Sequence, residues 1–283
     1  SSLSVRSGHD RTFDADHEVI ALPGSPSGAA TGTLVDIGPG RPEDFTAADL
    51  EGKIAMASSA TPDDFGRWIH RMEKYCYAID EGAVGFVFRN HIDGCLPPTG
   101  EVGYNNRPGP IPAVGVSKEV GATLERYAEA DVTVDLDTDC RNEPATSRNV
   151  SGELGPDTDD VVLLTAHVDA HDIAPGANDN GAGTVLVIEI ARLLSQIESE
   201  LDSRVRCVVF GSEEIGLRGA YHLANTIDLD SVKAVLNIDG AGRDRRLSVR
   251  TNEFDALETL FEDVTDELRV PVDTDATVSP HGD

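Results

Sequence analysis

The stretch AHVDAHDIAPGANDNGAG, residues 166–183, decides the fold. It continues VVLLTA (161–166), a largely β-branched apolar run that reads as a buried strand. It ends on glycines that open an apolar helix predicted over Gly183–Ser195. Two further apolar runs finish in the same manner. VRCVVFG (205–211) leads into Glu213 and Glu214, and VKAVLNI (232–238) leads into Asp239. Strand, helix and strand in this rhythm imply a parallel α/β sheet, and ligands of such sheets bind outside the carboxyl ends of the strands. Those ends collect His167, Asp169, Asp179, Glu213, Glu214 and Asp239. One imidazole among several carboxylates suits a divalent cation of hard to borderline character, zinc above all. Each residue alone has an ordinary explanation: a histidine after a strand, an Asn-Asp-Asn-Gly turn, a Glu-Glu pair opening a solvated helix. Their joint placement at three successive strand ends carries the metal reading. His171 fits no ligand position and reads as a loop residue, and His222 falls in a predicted helix, Gly219–Ala224.

The segments AHVDAHDIAPGANDNGAG, FGSEEIGLRGA (210–220) and NIDGAG (237–242) resemble the metal-binding motifs of the M28 family of zinc aminopeptidases, over roughly residues 145–245. The resemblance implies a site for two zinc ions. His167 and Asp239 would bind one, Glu214 the other, and Asp179 would bridge them. Glu213 would be the general base, and the Asp169 carboxylate would orient His167 and fix its tautomer. Two zincs sharing a water lower its pKa and clamp a tetrahedral intermediate, while a carboxylate carries the proton to the leaving amine. The family's fifth ligand is a histidine on a loop near the C-terminal end of the catalytic domain. This sequence stops at Ser279-Pro280-His281-Gly282-Asp283, which looks like the approach to that loop, with His281 as a candidate substitute. The expectation is therefore a chain truncated at both ends. It would hold at most one zinc tightly, at the His167/Asp239 position, because the other position keeps only two carboxylates where working zinc sites keep three protein ligands.

Residues 20–140 carry no metal constellation. Short strands are predicted at Gly32–Ile37, Gly52–Ala57, Val84–Phe88, Pro112–Val116 and Val132–Leu136, with helices over Asp64–Glu81 and Ser117–Ala130, the latter capped by Ser117. The runs DLEGKIAMAS (49–58), EGAVGFVFRN (81–90) and IPAVGVSKEVGATLERY (111–127) resemble a protease-associated (PA) domain, whose implied role is to cover the cleft and help select substrates. The expected organisation is residues 1–19 as an N-terminal segment of the peptidase part, 20–140 as the PA lid, and 141–283 as the catalytic domain without its C-terminal part. The fold class is α/β, a mixed and mostly parallel sheet sandwiched by helices (the zinc exopeptidase fold), with an inserted α+β lid. The implied activity is that of a zinc-dependent metallo-exopeptidase. The first reading is an aminopeptidase acting on peptides with a free N-terminus. A carboxypeptidase or glutaminyl cyclase on the same fold, or a non-catalytic peptidase-like binding protein, stays open, although the retained metal-seeking residues argue against the last.

Composition sets the surroundings. Asp and Glu number 51 against 23 Lys and Arg, a net charge of −28. Such a surface repels nucleic acid and anionic membrane, so neither is an expected partner. Lysine occurs only at positions 53, 74, 118 and 233, and an ordered apolar pattern under an acidic, lysine-poor surface resembles proteins of salt-loving organisms. Secretion and the cytoplasm of a halophile are both compatible with this reading, and oligomeric state is not indicated. A Cys95–Cys140 bridge is one possible pairing. The charge makes a direct prediction: molar salt screens self-repulsion, with a Debye length falling from about 10 Å at 0.1 M to about 3 Å at 1 M. The melting temperature should rise between about 0.1 and 2 M potassium chloride, a range chosen to span that screening. A flat profile in thermal scans would remove the halophile reading.

Overall fold

The structure is a computed structural model and describes residues 1–6, 10–13, 15, 17–104, 107–171, 174–242 and 246–278. The chain divides into two compact units, Ser1–Ala145 and Thr146–Asp283.

The first unit contains β1 (Ser2–Arg6), β2 (Arg11–Phe13), β3 (Val19–Ala21), β4 (Gly28–Gly38), α1 (Pro42–Ala47), β5 (Ile54–Ser58), α2 (Arg71–Asp80), β6 (Gly85–Arg89), β7 (Ala113–Val116), α3 (Lys118–Ala128) and β8 (Thr133–Thr138). Its eight strands lie in the order β2-β1-β8-β4-β5-β6-β7-β3. Strands β4 to β7 run parallel, and β5 is buried at all five positions, as a central parallel strand requires. The described strands of segment 1–19, a segment expected to belong to the peptidase part, instead join this sheet. β1 pairs antiparallel with β8, Leu3 opposite Leu136 and Val5 opposite Val134. All four side chains are buried in one cluster with Ile54 and Met56. The alternation of Leu3 and Val5 gives β1 an apolar face that only such a sheet can cover.

The helix expected over Asp64–Glu81 starts later, at Arg71. His70 caps it: Nδ1 accepts from the Met72 amide at 3.2 Å, and Glu73 reaches back to the His70 amide at 3.1 Å. α3 begins where predicted, with Ser117 Oγ accepting from the Val120 amide at 3.2 Å. Lys74 is fully buried and donates to the carbonyls of Ser58 and Ala60 at 2.7 and 2.6 Å, and burial pushes its ammonium down to about 8. All four cysteines are free thiols, so the Cys95–Cys140 bridge is not formed.

The second unit contains β9 (Val150–Leu154), β10 (Val161–His167), α4 (Ala182–Leu194), β11 (Arg204–Phe210), α5 (Arg218–Ala224), β12 (Val232–Asn237), β13 (Leu247–Arg250), α6 (Asp255–Leu268) and β14 (Val272–Asp275). The main sheet has the order β12-β10-β11-β9, with β10 parallel to both β11 and β12 and β9 antiparallel at one edge. β13 and β14 form a separate parallel pair. The period of two along β10 and β11 separates two apolar layers. Val161, Leu163, Val208 and Phe210 pack with Leu223 of α5, while Leu164 and Ala166 pack with Val187 of α4. Helices therefore cover both faces, which is the mixed, helix-sandwiched α/β class expected. α4 is apolar almost all round, and Val185, Ile188 and Leu193 on it stay exposed. No helix among the described residues is long and apolar enough to cross a membrane.

α4 starts hard against the end of β12. A Cβ on Gly183 would lie 2.2 Å from Asn180 Oδ1 and 2.4 Å from the Ile238 carbonyl. Both atoms are engaged, since Asn180 Nδ2 donates to Ile238 O at 2.8 Å and Asn180 Oδ1 accepts from the Gly183 amide at 3.0 Å. Gly183→Ala must separate helix from strand. We expect it to cost about 1–3 kcal/mol, the usual range for overpacking, measured by chemical denaturation. An unchanged midpoint would show that the loop yields freely.

Candidate metal centre

β10, β11 and β12 end side by side, so the loops that follow them meet at one edge of the sheet. His167 closes β10 and is buried to 1% side-chain exposure. Its Nε2 lies 3.1 Å from Asp179 Oδ1 and 3.6 Å from Asp239 Oδ1. One donor atom each from His167, Asp179 and Glu214 fall within 4.8 Å of one another. All four side chains expected as ligands therefore converge, three of them on loops after different strands.

Hydrogen bonds between the loops hold this convergence. Asp169 binds the loop after β11: its Oδ1 accepts from the Glu213 amide at 3.0 Å and its Oδ2 from the Glu214 amide at 3.1 Å. This changes the role expected for the Asp169 carboxylate. Its nearer oxygen is 3.8 Å from His167 Nδ1, whereas the Asp169 backbone carbonyl is 3.0 Å away. The carbonyl orients the ring and the carboxylate positions the glutamates. Two converging amide donors compensate an anion better than one long contact to an imidazole. Asn178 and Asn180 tie the next loop to the end of β12, with Asn178 Nδ2 donating to Ala241 O at 2.5 Å and Asn180 Nδ2 to Ile238 O at 2.8 Å. Thr184 Oγ1 donates to the His167 carbonyl at 2.7 Å, joining α4 to β10. Asn-Asp-Asn-Gly alone reads as a turn, and nothing in local periodicity shows bonds that span 58 and 63 residues.

His171 is the other residue missed. Its Nε2 lies 2.7 Å from Glu214 Oε2, inside the site rather than on an unrelated loop. His281 lies outside the described residues.

The donor set fits a metal. Two buried atoms, His167 Nε2 and Glu214 Oε1, make no hydrogen bond of acceptable geometry although carboxylates crowd them. Buried polar atoms are almost always satisfied, and a cation bound between an imidazole and carboxylates would satisfy both. The electrostatics agree. Burial alone lowers the basicity of His167, but the carboxylates of Asp179 and Asp239 and the charge of Glu213 override it and push the ring up to about 11. The surrounding carboxylates thus favour positive charge at this donor atom.

Residues 149–282 match peptidase family M28, and residues 30–124 match the PA domain. The second unit belongs to peptidase family M28. Among curated relatives, aminopeptidase YwaD of Bacillus subtilis is 34% identical over 218 residues, covering 75% of this chain and 44% of its own length. Leucine aminopeptidase 2 of Trichophyton rubrum is 34% identical over 202 residues, covering 69% and 38%. The chain thus spans less than half the length of these relatives. A solved zinc aminopeptidase from Bacillus subtilis superposes with a TM-score of 0.65 at 27% identity, covering 99% of this chain and 74% of its own. A peptidase M28 precursor from Shewanella amazonensis gives 0.72 at 25% identity, covering 99% and 67%.

The shifted imidazole of the M28 unit makes a prediction whose sign can be worked out. The folded value lies above the ordinary 6.5, so the stability His167 contributes to the metal-free unit is complete below about 6.5 and is lost as pH climbs through about 11. Proton NMR of the EDTA-treated chain should show the His167 ring still protonated at pH 8. Zinc added at pH 7 should displace that proton, releasing about one per chain. A ring that titrates near 6.5 would mean the carboxylates do not converge in solution.

Proposed function

We propose that this chain carries the catalytic metal centre of a zinc aminopeptidase, which removes N-terminal residues from peptides by attack of activated water on the first peptide bond. The observation that carries the reading is the convergence of His167, Asp179, Asp239 and Glu214 around buried atoms that lack hydrogen-bond partners. The aminopeptidase names of the relatives support the reaction class.

His167, Asp179 and Asp239 would hold one zinc, and Glu214 with a shared Asp179 the other. Bound zinc supplies Lewis acidity, lowering the pKa of water and polarising the scissile carbonyl. Glu213 would take the proton from the attacking water and pass it to the departing amine. Its fitness for this rests on Asp169, whose carboxylate fixes the backbone of both glutamates so that neighbouring side chains serve different partners. Glu214, with 8% of its side chain exposed, sits beside His167 and Asp179, while Glu213 is only half-buried. The acid-rich site and the net charge of −28 favour a substrate that presents a cationic α-amine.

The adjacent glutamates can be separated by experiment. In the whole protein, Glu213→Gln should leave zinc content nearly unchanged and lower kcat by at least ~10². Glu214→Ala should instead lose one zinc per site, measured by metal analysis after dialysis. Equal metal loss from both variants would mean that the division of labour within the pair is wrong.

A further inference from the structure

We propose that Asn149, which lies just ahead of β9 and outside the three metal-binding motifs, is a positioning residue for Glu213. The inference rests on the general-base reading above. β11 ends at Phe210 and α5 begins at Arg218, and the loop between them carries Glu213 and Glu214. The Asn149 side chain grips this loop at both ends. Its Oδ1 accepts from the Gly211 amide at 3.3 Å, and its Nδ2 donates to the Gly219 carbonyl at 2.9 Å. An amide side chain offers one acceptor and one donor group, and here each is spent on a different end of the same loop. Asn149 thus closes the neck, with one arm on the strand the loop leaves and the other on the helix it enters. Sterics agree. A Cβ on Gly211 would lie 2.3 Å from Ser147 Oγ and 2.8 Å from the Arg148 carbonyl. A Cβ on Gly219 would lie 2.5 Å from Asn149 Oδ1 and 2.7 Å from the Gly211 carbonyl. Both glycines are buried, so segment 147–149 is seated directly on the neck, at an approach that only glycine admits.

Inside the neck the loop folds on itself. The Glu213 carbonyl accepts from the Gly216 and Leu217 amides at 2.9 and 2.7 Å, and the Ser212 carbonyl accepts from the Arg218 amide at 2.9 Å. Ser212 and Leu217 both have left-handed backbones, with φ of 62° and 54°. Residues other than glycine stay in that region only where their surroundings over-determine it. The fixed points are Asn149 at the neck and Asp169 at the Glu213 and Glu214 amides. The two glutamates depend on them unequally. A ligand is drawn into place by its cation, as Glu214 would be, whereas a base that binds no metal is aimed by the backbone that carries it. Release of the neck should therefore impair proton transfer more than metal binding.

The test is a set of single and double variants of the whole protein. Asn149→Ala should lower kcat by about 10²-fold, the loss that a misplacement of roughly 1 Å brings, while KM and zinc content after dialysis stay near those of the parent. Asn149→Asp keeps an acceptor for the Gly211 amide but sets an oxygen against the Gly219 carbonyl, and should lose as much. The double variant separates positioning from general stability. Adding Asn149→Ala to Glu213→Gln should lower kcat by less than about threefold further, because residues that act as a unit are not additive. Losses that multiply would show that Asn149 acts elsewhere in the fold and overturn the proposal. Amide hydrogen exchange gives a readout independent of turnover. In the EDTA-treated protein, Asn149→Ala should speed exchange at Gly211, Glu213 and Glu214 and leave the β10 and β11 amides unchanged. Uniform acceleration across the sheet, or loss of the fold in both Asn149 variants, would make Asn149 a stability residue and overturn the proposal. If Glu213→Gln keeps the parent's kcat, the base reading fails and the inference falls with it. Loss of kcat in Glu213→Gln with none in either Asn149 variant overturns the inference alone and leaves the base reading standing.

Discussion

Several carboxylates and one deeply buried imidazole are gathered within a few ångströms, and the acids repel one another. At an effective dielectric of about 20, two like charges 4 Å apart cost about 4 kcal/mol. The rest of the second unit can be understood as the scaffold that holds this unfavourable gathering in place. The strands bring the loops to one edge but do not aim the side chains. Aiming falls to side-chain bonds onto distant backbone: Asp169 to residues 213 and 214, Asn178 and Asn180 to residues 241 and 238, Thr184 to residue 167. The Asp169 and asparagine bonds bridge the loop after β10 to another strand end, and Thr184 ties the helix that follows back to β10 itself. The loop after β10 is thus the hub to which the other two are fastened.

That organisation explains what could be read in the sequence. The strands β10, β11 and β12 are short β-branched runs with turn signals, and their apolar period is visible within a window of seven residues. α4 and α5 likewise declare themselves by apolar content and flanking glycines. The metal-seeking residues are legible because their side-chain types are unusual where they stand. By contrast, the sheet membership of Leu3 and Val5 depends on pairing with β8 more than 120 residues away, which no local pattern encodes. β1 and β2 are short enough to pass for loop, and α6, amphipathic over Asp255–Leu268, lies beyond the last motif.

The site shows the same boundary more sharply. The family resemblance implies that the Asp169 carboxylate orients His167, but an aspartate two residues after a histidine can offer either a carbonyl or a carboxylate. Geometry assigns the carbonyl to the ring and the carboxylate to the glutamate amides. From the sequence His171 reads as a loop residue, because it fits no ligand position. Spacing along a chain is a poor guide to distance in an irregular loop, where four residues can carry a ring back to a neighbouring strand end or away from it. In a helix or strand the same separation would have fixed the answer.

The protonation of His167 links the scaffold to its use. The gathered carboxylates repel one another, and strand pairing, packing and hydrogen bonds between the loops oppose that repulsion. With its pKa pushed up to about 11, the imidazole stays charged at neutral pH and neutralises part of the acidic cluster from within. The proton therefore acts as a placeholder at the donor atom that a metal would occupy. A bound cation would exchange one positive charge for a larger one among side chains the fold already brings together. The cost is competition: the more firmly the carboxylates hold that proton, the more strongly metal affinity depends on pH. The same carboxylates thus set both how well the empty site keeps its shape and how readily it takes its metal.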